Sequence, residues 1–242
     1  MNSAYHRHVP HRSELGSSTS GQLHQFSSAV LVPVGSCEQH GPHLPLDTDT
    51  RIAAAVSSAL AQRHPGYLVA PPVAYGASGE HESFPGTVSI GQDALHGVLV
   101  EFGRSACRWA PRVLLVNGHG GNVGALRSAT RLLRYEGRDV AWSSCSVPGG
   151  DAHAGHTETS VLLYLSPSDV LMDRTRPGNS APLAELMPRM RHGGVAAVSE
   201  VGVLGDPTTA TAVDGARLFD EMVTVCSERV TRWSPDADGM LR

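Results

Sequence analysis

Four short apolar runs, spaced by stretches with helical periodicity, restrict this chain to a small set of folds. Ala29–Val34, Tyr67–Ala70, Arg112–Val116 and Val140–Cys145 read as buried strands. Thr50–Arg63, Ala94–Arg108, Val123–Tyr135, Thr157–Leu165 and Val213–Trp233 carry their apolar residues at helical spacing. Leu95, Val98, Leu99, Phe102 and Ala106, for example, share one face. Strands that alternate with helices predict an α/β fold with a mostly parallel sheet, because parallel neighbours need a crossover long enough to hold a helix. In such folds ligands sit beyond the carboxyl ends of the strands, so the loops that follow the strands are where chemistry is to be sought.

Composition narrows the classes further. At 40% hydrophobic and 17% charged residues, the 242-residue chain can bury a sizeable core. A single domain is expected over 26–233, with a Ser/His/Gly-rich mobile arm at 1–25 and a loose tail at 234–242. No run approaches the roughly 18 apolar residues of a membrane span, and the arm lacks the apolar stretch of a secretory signal. A net charge of −4 and 5% aromatic residues argue against a nucleic-acid partner held by bulk charge or base stacking. All nineteen cations are Arg, which excludes a Schiff-base or P-loop lysine. Cys37, Cys107, Cys145 and Cys226 form no CxxC pair and read as reduced cytoplasmic thiols.

The loops after the strands are rich in His and carboxylates. The first runs Gly35-Ser36-Cys37-Glu38-Gln39-His40-Gly41-Pro42-His43-Leu44-Pro45-Leu46-Asp47-Thr48-Asp49. Glu38 and His40, two apart, point the same way in extended backbone, and Asp49 is expected at the N-cap of the next helix. The third strand ends in Asn117-Gly118-His119-Gly120-Gly121-Asn122, where His119 holds the apex and Asn122 can cap a helix. The fourth leads to His153, then to Glu158 in a helical first turn. The loop after the second strand, Gly79 to Thr87, places His81 where it can line a pocket, and serves equally as a solvated loop. Taken singly, Asp49 reads as a cap, His43 as a hydrogen-bonded structural histidine and Glu158 as a complement to the helix dipole. His119 alone is divided between ligand and turn residue. Three convergences of His and carboxylate on strand ends point instead to a divalent metal site.

Together these segments resemble the creatininase family of metal-dependent amidohydrolases. Glu38 to Pro45 with Thr48-Asp49 matches its first signature, Asn117 to Asn122 its second, and His153-Ala154-Gly155 through Glu158-Thr159-Ser160 its third. The likeness spans positions 35–160 and continues more weakly to about 232. Pro148–Ser160, Arg191–Ser199 and Val201–Thr211 are closest to a peptidase branch of the family. That branch releases a cross-linked, Val-Tyr-derived C-terminal dipeptide from a modified, ribosomally made precursor peptide.

The resemblance implies a three-layer α/β/α fold, a homo-oligomer and two divalent metal ions, zinc or iron, with manganese also suited. By the same resemblance Glu38, Asp49 and His119 hold one ion and His40, Asp49 and Glu158 the other. A hydroxide between the ions attacks the scissile carbonyl, and His153 donates a proton to the leaving amine. His43, His81 and Asn122 are further candidates for substrate contact. Creatininase proper carries an acidic metal ligand shortly after its second-signature His, where this chain has Gly120 and Gly121. Glu158 is the candidate to replace it, which favours a linear amide over creatinine. Arg191 and His192 read as a solvent-facing basic pair, with a grip on a substrate carboxylate as the alternative. The rival readings are an amidohydrolase of small cyclic or formylated amides and, from another class, a non-catalytic nucleotide binder built on the Gly-rich turn.

Overall fold

The computed structural model describes residues 13–242; the part of the expected arm at 1–12 lies outside them. Strands β1 (Ala29–Val34), β2 (Leu68–Val69), β3 (Arg112–Asn117) and β4 (Val140–Ser144) form one sheet in the order β2-β1-β3-β4, every pairing parallel. Helices α1 (Thr48–Arg63), α2 (Gly91–Ala106), α3 (Val123–Tyr135), α4 (His156–Leu165), α5 (Leu183–Gly193) and α6 (Ala212–Arg232) surround it.

The pleat sorts the strand side chains into two cores. Leu31, Leu114, Val116 and Ala141 pack with Ala53, Leu162 and Met222 from α1, α4 and α6. Val30, Val32, Val34, Val113, Leu115 and Trp142 face the other way, against Leu95 and Leu99 of α2 and Leu126 and Leu133 of α3. Both faces are therefore covered, as a parallel sheet requires, and the result is the expected three-layer α/β/α arrangement.

Helix α1 begins at Thr48, two residues earlier than predicted. Asp47 takes the N-cap position, and Asp49 lies inside the first turn with its carboxylate buried. Helix α5 has no counterpart in the sequence reading. It carries Pro188 within it and buries only Leu186; the proline masks an apolar stripe of Leu183, Leu186, Met187 and Met190 at helical spacing.

Both chain ends described here are docked rather than loose. Val69 donates its N–H to Ser13 O along the outer edge of β2, and Leu15 and Phe26 pack beside the α2 core. At the opposite edge, Trp142 of β4 donates to Gly239 O and accepts from Leu241 N, while Leu241 is fully buried. The tail thus satisfies edge groups that would otherwise meet water, a tertiary effect with no local signature. Leu241→Ala is expected to cost about 2–5 kcal/mol, as for other fully buried leucines. Urea unfolding measures it; a loss under about 0.5 kcal/mol, the range of surface changes, would show the tail to be undocked in solution.

Candidate metal centre

The carboxyl ends of the strands deliver one cluster. Glu38 and His40 follow β1, His81 closes a short 3-10 turn after β2, His119 follows β3, and His153 precedes α4, whose first turn holds Glu158. Asp49 comes from the first turn of α1. Close backbone approach makes the convergence possible: a Cβ at Gly118 would lie 2.4 Å from Asp49 O, so only glycine lets the β3 turn bring His119 onto α1.

Asp49 sits at the middle. Its Oδ1 lies 3.1 Å from His40 Nε2 and its Oδ2 3.2 Å from His119 Nδ1, with Ser36 Oγ donating to Oδ2 at 2.7 Å. Glu38 Oε2 is 3.1 Å from His119 Nε2, and Glu158 Oε2 is 3.9 Å from His40 Nε2. Donor atoms that share an ion at about 2.0–2.2 Å fall roughly 3–3.6 Å apart, so most of these spacings suit shared coordination. Three sets place their donor atoms within 4.8 Å of one another: Glu38, His40 and Asp49; His40, His153 and Glu158; and Glu38, His81 and His153.

The fit to a cation rests on Glu38. Its side chain is fully buried and makes no aligned hydrogen bond; its nearest polar neighbours are imidazole nitrogens, His119 Nε2 at 3.1 Å and His81 Nε2 at 3.4 Å. A buried carboxylate held only among imidazoles is costly, and a divalent cation is the partner that this mixed oxygen and nitrogen shell, free of thiolates, would hold.

Electrostatics carry the same imprint. Burial alone would lower His40, but Asp49, Glu158 and Glu38 outweigh it and raise it to about 10. His119 is likewise raised against burial by Glu38 and Asp49. Asp49 is held well below the usual carboxylate range by His40 and His119, despite burial. Burial and Asp49 push Glu158 up to about 7 against the pull of His40. His153 is driven down by burial and by His40, and His81 falls to about 4 through burial and His153. In the metal-free chain His40 therefore carries a proton at pH 8, His119 is biased towards its protonated form, and Glu158 gains a proton as pH falls through about 7. Because a metal needs these groups deprotonated, zinc binding should displace about one more proton at pH 6 than at pH 8. Calorimetry in buffers of different ionisation enthalpy counts them; equal counts at the two pH values would overturn the assignment.

A cavity of about 560 Å³ opens over the cluster. Asp49, His81, His119, His153 and Glu158 form its polar floor, and Leu183, Met187, Met190, Val195 and Met222 its apolar side. His81 lines it, as expected from sequence. His43 and Asn122 do not, and these two expectations are corrected. His43 is buried against α4, its Nε2 2.8 Å from Thr159 Oγ1. Asn122 stands at the N-cap of α3 without capping it. Its amide instead accepts from Ala77 N and donates to Gly35 O, bracing the loops after β1 and β2. Arg191 is exposed on the cavity rim, whereas His192 turns back to Pro188 O. Sequence reasoning missed Glu80, whose Oε1 is 3.5 Å from His119 Nε2, and Gln39, which touches both His81 and His153. Their positions beside His81 and between Glu38 and His40 were the available signal.

With this geometry in place, the likeness to known proteins can be weighed. The family model described as creatinine amidohydrolase matches residues 14–230. The chain belongs to the creatininase family. Two full-length relatives are called mycofactocin precursor peptide peptidase: one from Mycolicibacterium smegmatis, 67% identical over 246 residues, and one from Mycobacterium tuberculosis, 62% identical over 250, each match covering 100% of both chains. Among solved structures, creatininase in its manganese form and a glutamate-to-glutamine variant of Zn-Zn type are both 28% identical, with TM-scores of 0.75 over 92% of this chain and 98% of theirs. A creatininase-family chain of this kind is a hydrolase of C–N bonds with a shell suited to divalent metals. Its Gly121 leaves no room for the acidic residue expected of creatininase proper. A Cβ there would lie 2.3 Å from His119 Nε2 and 2.6 Å from Glu80 Oε1.

Proposed function

We propose that this chain is a metal-dependent peptidase that hydrolyses the amide bond releasing the cross-linked, Val-Tyr-derived C-terminal dipeptide from the mycofactocin precursor peptide. The observation that carries the reading is the fully buried carboxylate of Glu38, which makes no aligned hydrogen bond and lies among His81, His119 and His153, the histidines that line a cavity large enough for a dipeptide-sized group. The full-length likeness to peptidases of that name supports the substrate.

Glu38, Asp49 and His119 would hold one divalent ion and His40, Asp49 and Glu158 a second, with Asp49 offering one oxygen to each side. Zinc, iron and manganese all suit such donors. When bound, the ions supply Lewis acidity and an acidified water, which a hydrolase without a Ser or Cys nucleophile requires. His153 presents Nδ1 towards Glu38 Oε1 at 3.7 Å, while its Nε2 lies 2.8 Å from the backbone oxygen of Gln39. A neutral His153 takes the proton of the attacking water on Nδ1 and hands it to the leaving amine. The apolar side formed by Leu183, Met187 and Met190 receives the aromatic part of the leaving group, where sulfur meets the ring edge favourably. A homo-oligomer, resting on family resemblance, and a cytoplasmic setting, resting on the four unpaired cysteines, complete the reading.

The test is cleavage of the cross-linked precursor peptide by zinc-loaded protein, followed by mass spectrometry. Loss of the modified C-terminal pair is the expected result. Turnover of a small cyclic or formylated amide, with the peptide left intact, would move the chain to the other branch of the family.

A further inference from the structure

Gln39 holds two histidines of the cavity floor in opposite tautomers. Its side-chain orientation is fixed from outside the cluster: Oε1 accepts Gly41 N–H at 2.8 Å, so Nε2 is the end that donates to Gly202 O at 3.0 Å. The second hydrogen of that amide goes to His81 Nδ1, 2.8 Å away, rather than to His153 Nε2 at 3.2 Å, which is itself 2.8 Å from the backbone oxygen of Gln39. A ring nitrogen facing an N–H donor must offer a lone pair, so His81 carries its proton on Nε2. His153 is the reverse case relative to the cavity. Its Nε2–H donates to the backbone oxygen of Gln39 at 2.8 Å, which leaves Nδ1 bare. The two rings lie 4.4 Å apart, and both turn their inner nitrogens to the same oxygen: His81 Nε2 at 3.4 Å and His153 Nδ1 at 3.7 Å from Glu38 Oε1.

We propose that His81 is a catalytic hydrogen-bond donor, its Nε2–H stabilising the negative charge that grows on the scissile carbonyl oxygen, and that Gln39 is the positioning residue that sets this donor against the proton-accepting Nδ1 of His153. The inference rests on the amide-hydrolase reading given above. It removes His81 from the metal shell, since a protonated Nε2 has no lone pair to give and Nδ1 is already engaged. Preorganised donors aimed at an oxyanion act strongly in a site closed to water, and His81 is 3% exposed. The arrangement also accounts for Gly202, whose φ is +78° and whose Cβ, if present, would lie 2.1 Å from Gln39 Oε1. Only glycine lets that backbone carbonyl reach the amide.

The tautomers can be read without any turnover. In zinc-loaded protein carrying 15N-labelled imidazoles, long-range 1H–15N spectra should show His81 protonated at Nε2 and bare at Nδ1. A bare Nε2 on His81 in the wild type overturns the proposal. Gln39→Glu puts an acceptor opposite His81 Nδ1 and should move the proton there. kcat on the precursor peptide should then fall about 10²–10³-fold, the range for loss of one oxyanion donor, with zinc content unchanged and KM within about threefold. His81→Phe should lose as much, and His81→Gln, which keeps an N–H donor, should recover part of it. Wild-type-like kcat in His81→Phe sinks the inference while leaving the peptidase reading intact. Failure of the wild type to cleave the peptide sinks that reading, and the NMR assignment then stands or falls alone.

Discussion

Glu38→Ala should leave a folded protein without bound metal and lower kcat/KM on the precursor peptide by roughly 10³–10⁵-fold, the scale set by losing both the Lewis acid and the acidified water. Neither Asp49 nor Glu158 can take its place, because Asp49 already divides its two oxygens between His40 and His119 and Glu158 stands on the far side of His40. Elemental analysis of the wild type and the variant measures the metal, and peptide kinetics measure the loss of turnover. A variant that retains wild-type metal content would show that Glu38 is no ligand.

His153→Ala is expected to behave differently, keeping its metal and losing about 10²–10⁴-fold in kcat, as for removal of a general acid–base group. The distinction matters because His153 also falls within a donor set with His40 and Glu158. If the variant came out metal-free, His153 would be a ligand, and the proton shuttle would pass to another group. The tautomer argues for the shuttle. With Nε2–H tied to the Gln39 carbonyl, protonation at Nδ1 is the only change of state open to the ring, and it occurs at the nitrogen that faces Glu38.

How far the sequence carried the fold follows from what is local. Strand β1 and helix α3 lie where their patterns placed them, since an unbroken apolar run and an amphipathic stripe closed by Gly137 are written within a few residues. Glu38, His40, Asp49, His119, His153 and Glu158 do meet, because a parallel sheet aligns the loops that follow its strands. What the pattern could not supply was depth. His43 and Asn122 have the same chemistry as ligands and contact residues, and only the packing of α4 and of the loop at Ala77 turns them inward. Asp49 was misplaced as a cap because Pro45 and Asp47 make the turn into α1 end early. Gln39 drew no attention because an amide has no charge and no metal preference. Its meaning lies in Gly41 and Gly202, the second of which is 163 positions away.

The two docked chain ends have a further consequence. A four-stranded parallel sheet has two outer edges, and here Ser13-Glu14 lies along β2 while Gly239–Leu241 lies along β4. Among the described residues, neither edge offers a free run of N–H and C=O groups with which to extend the sheet into a second copy or to take the precursor peptide as an added strand. Assembly and substrate capture are both left to helix faces and loops, on which side chains rather than backbone ladders decide what binds.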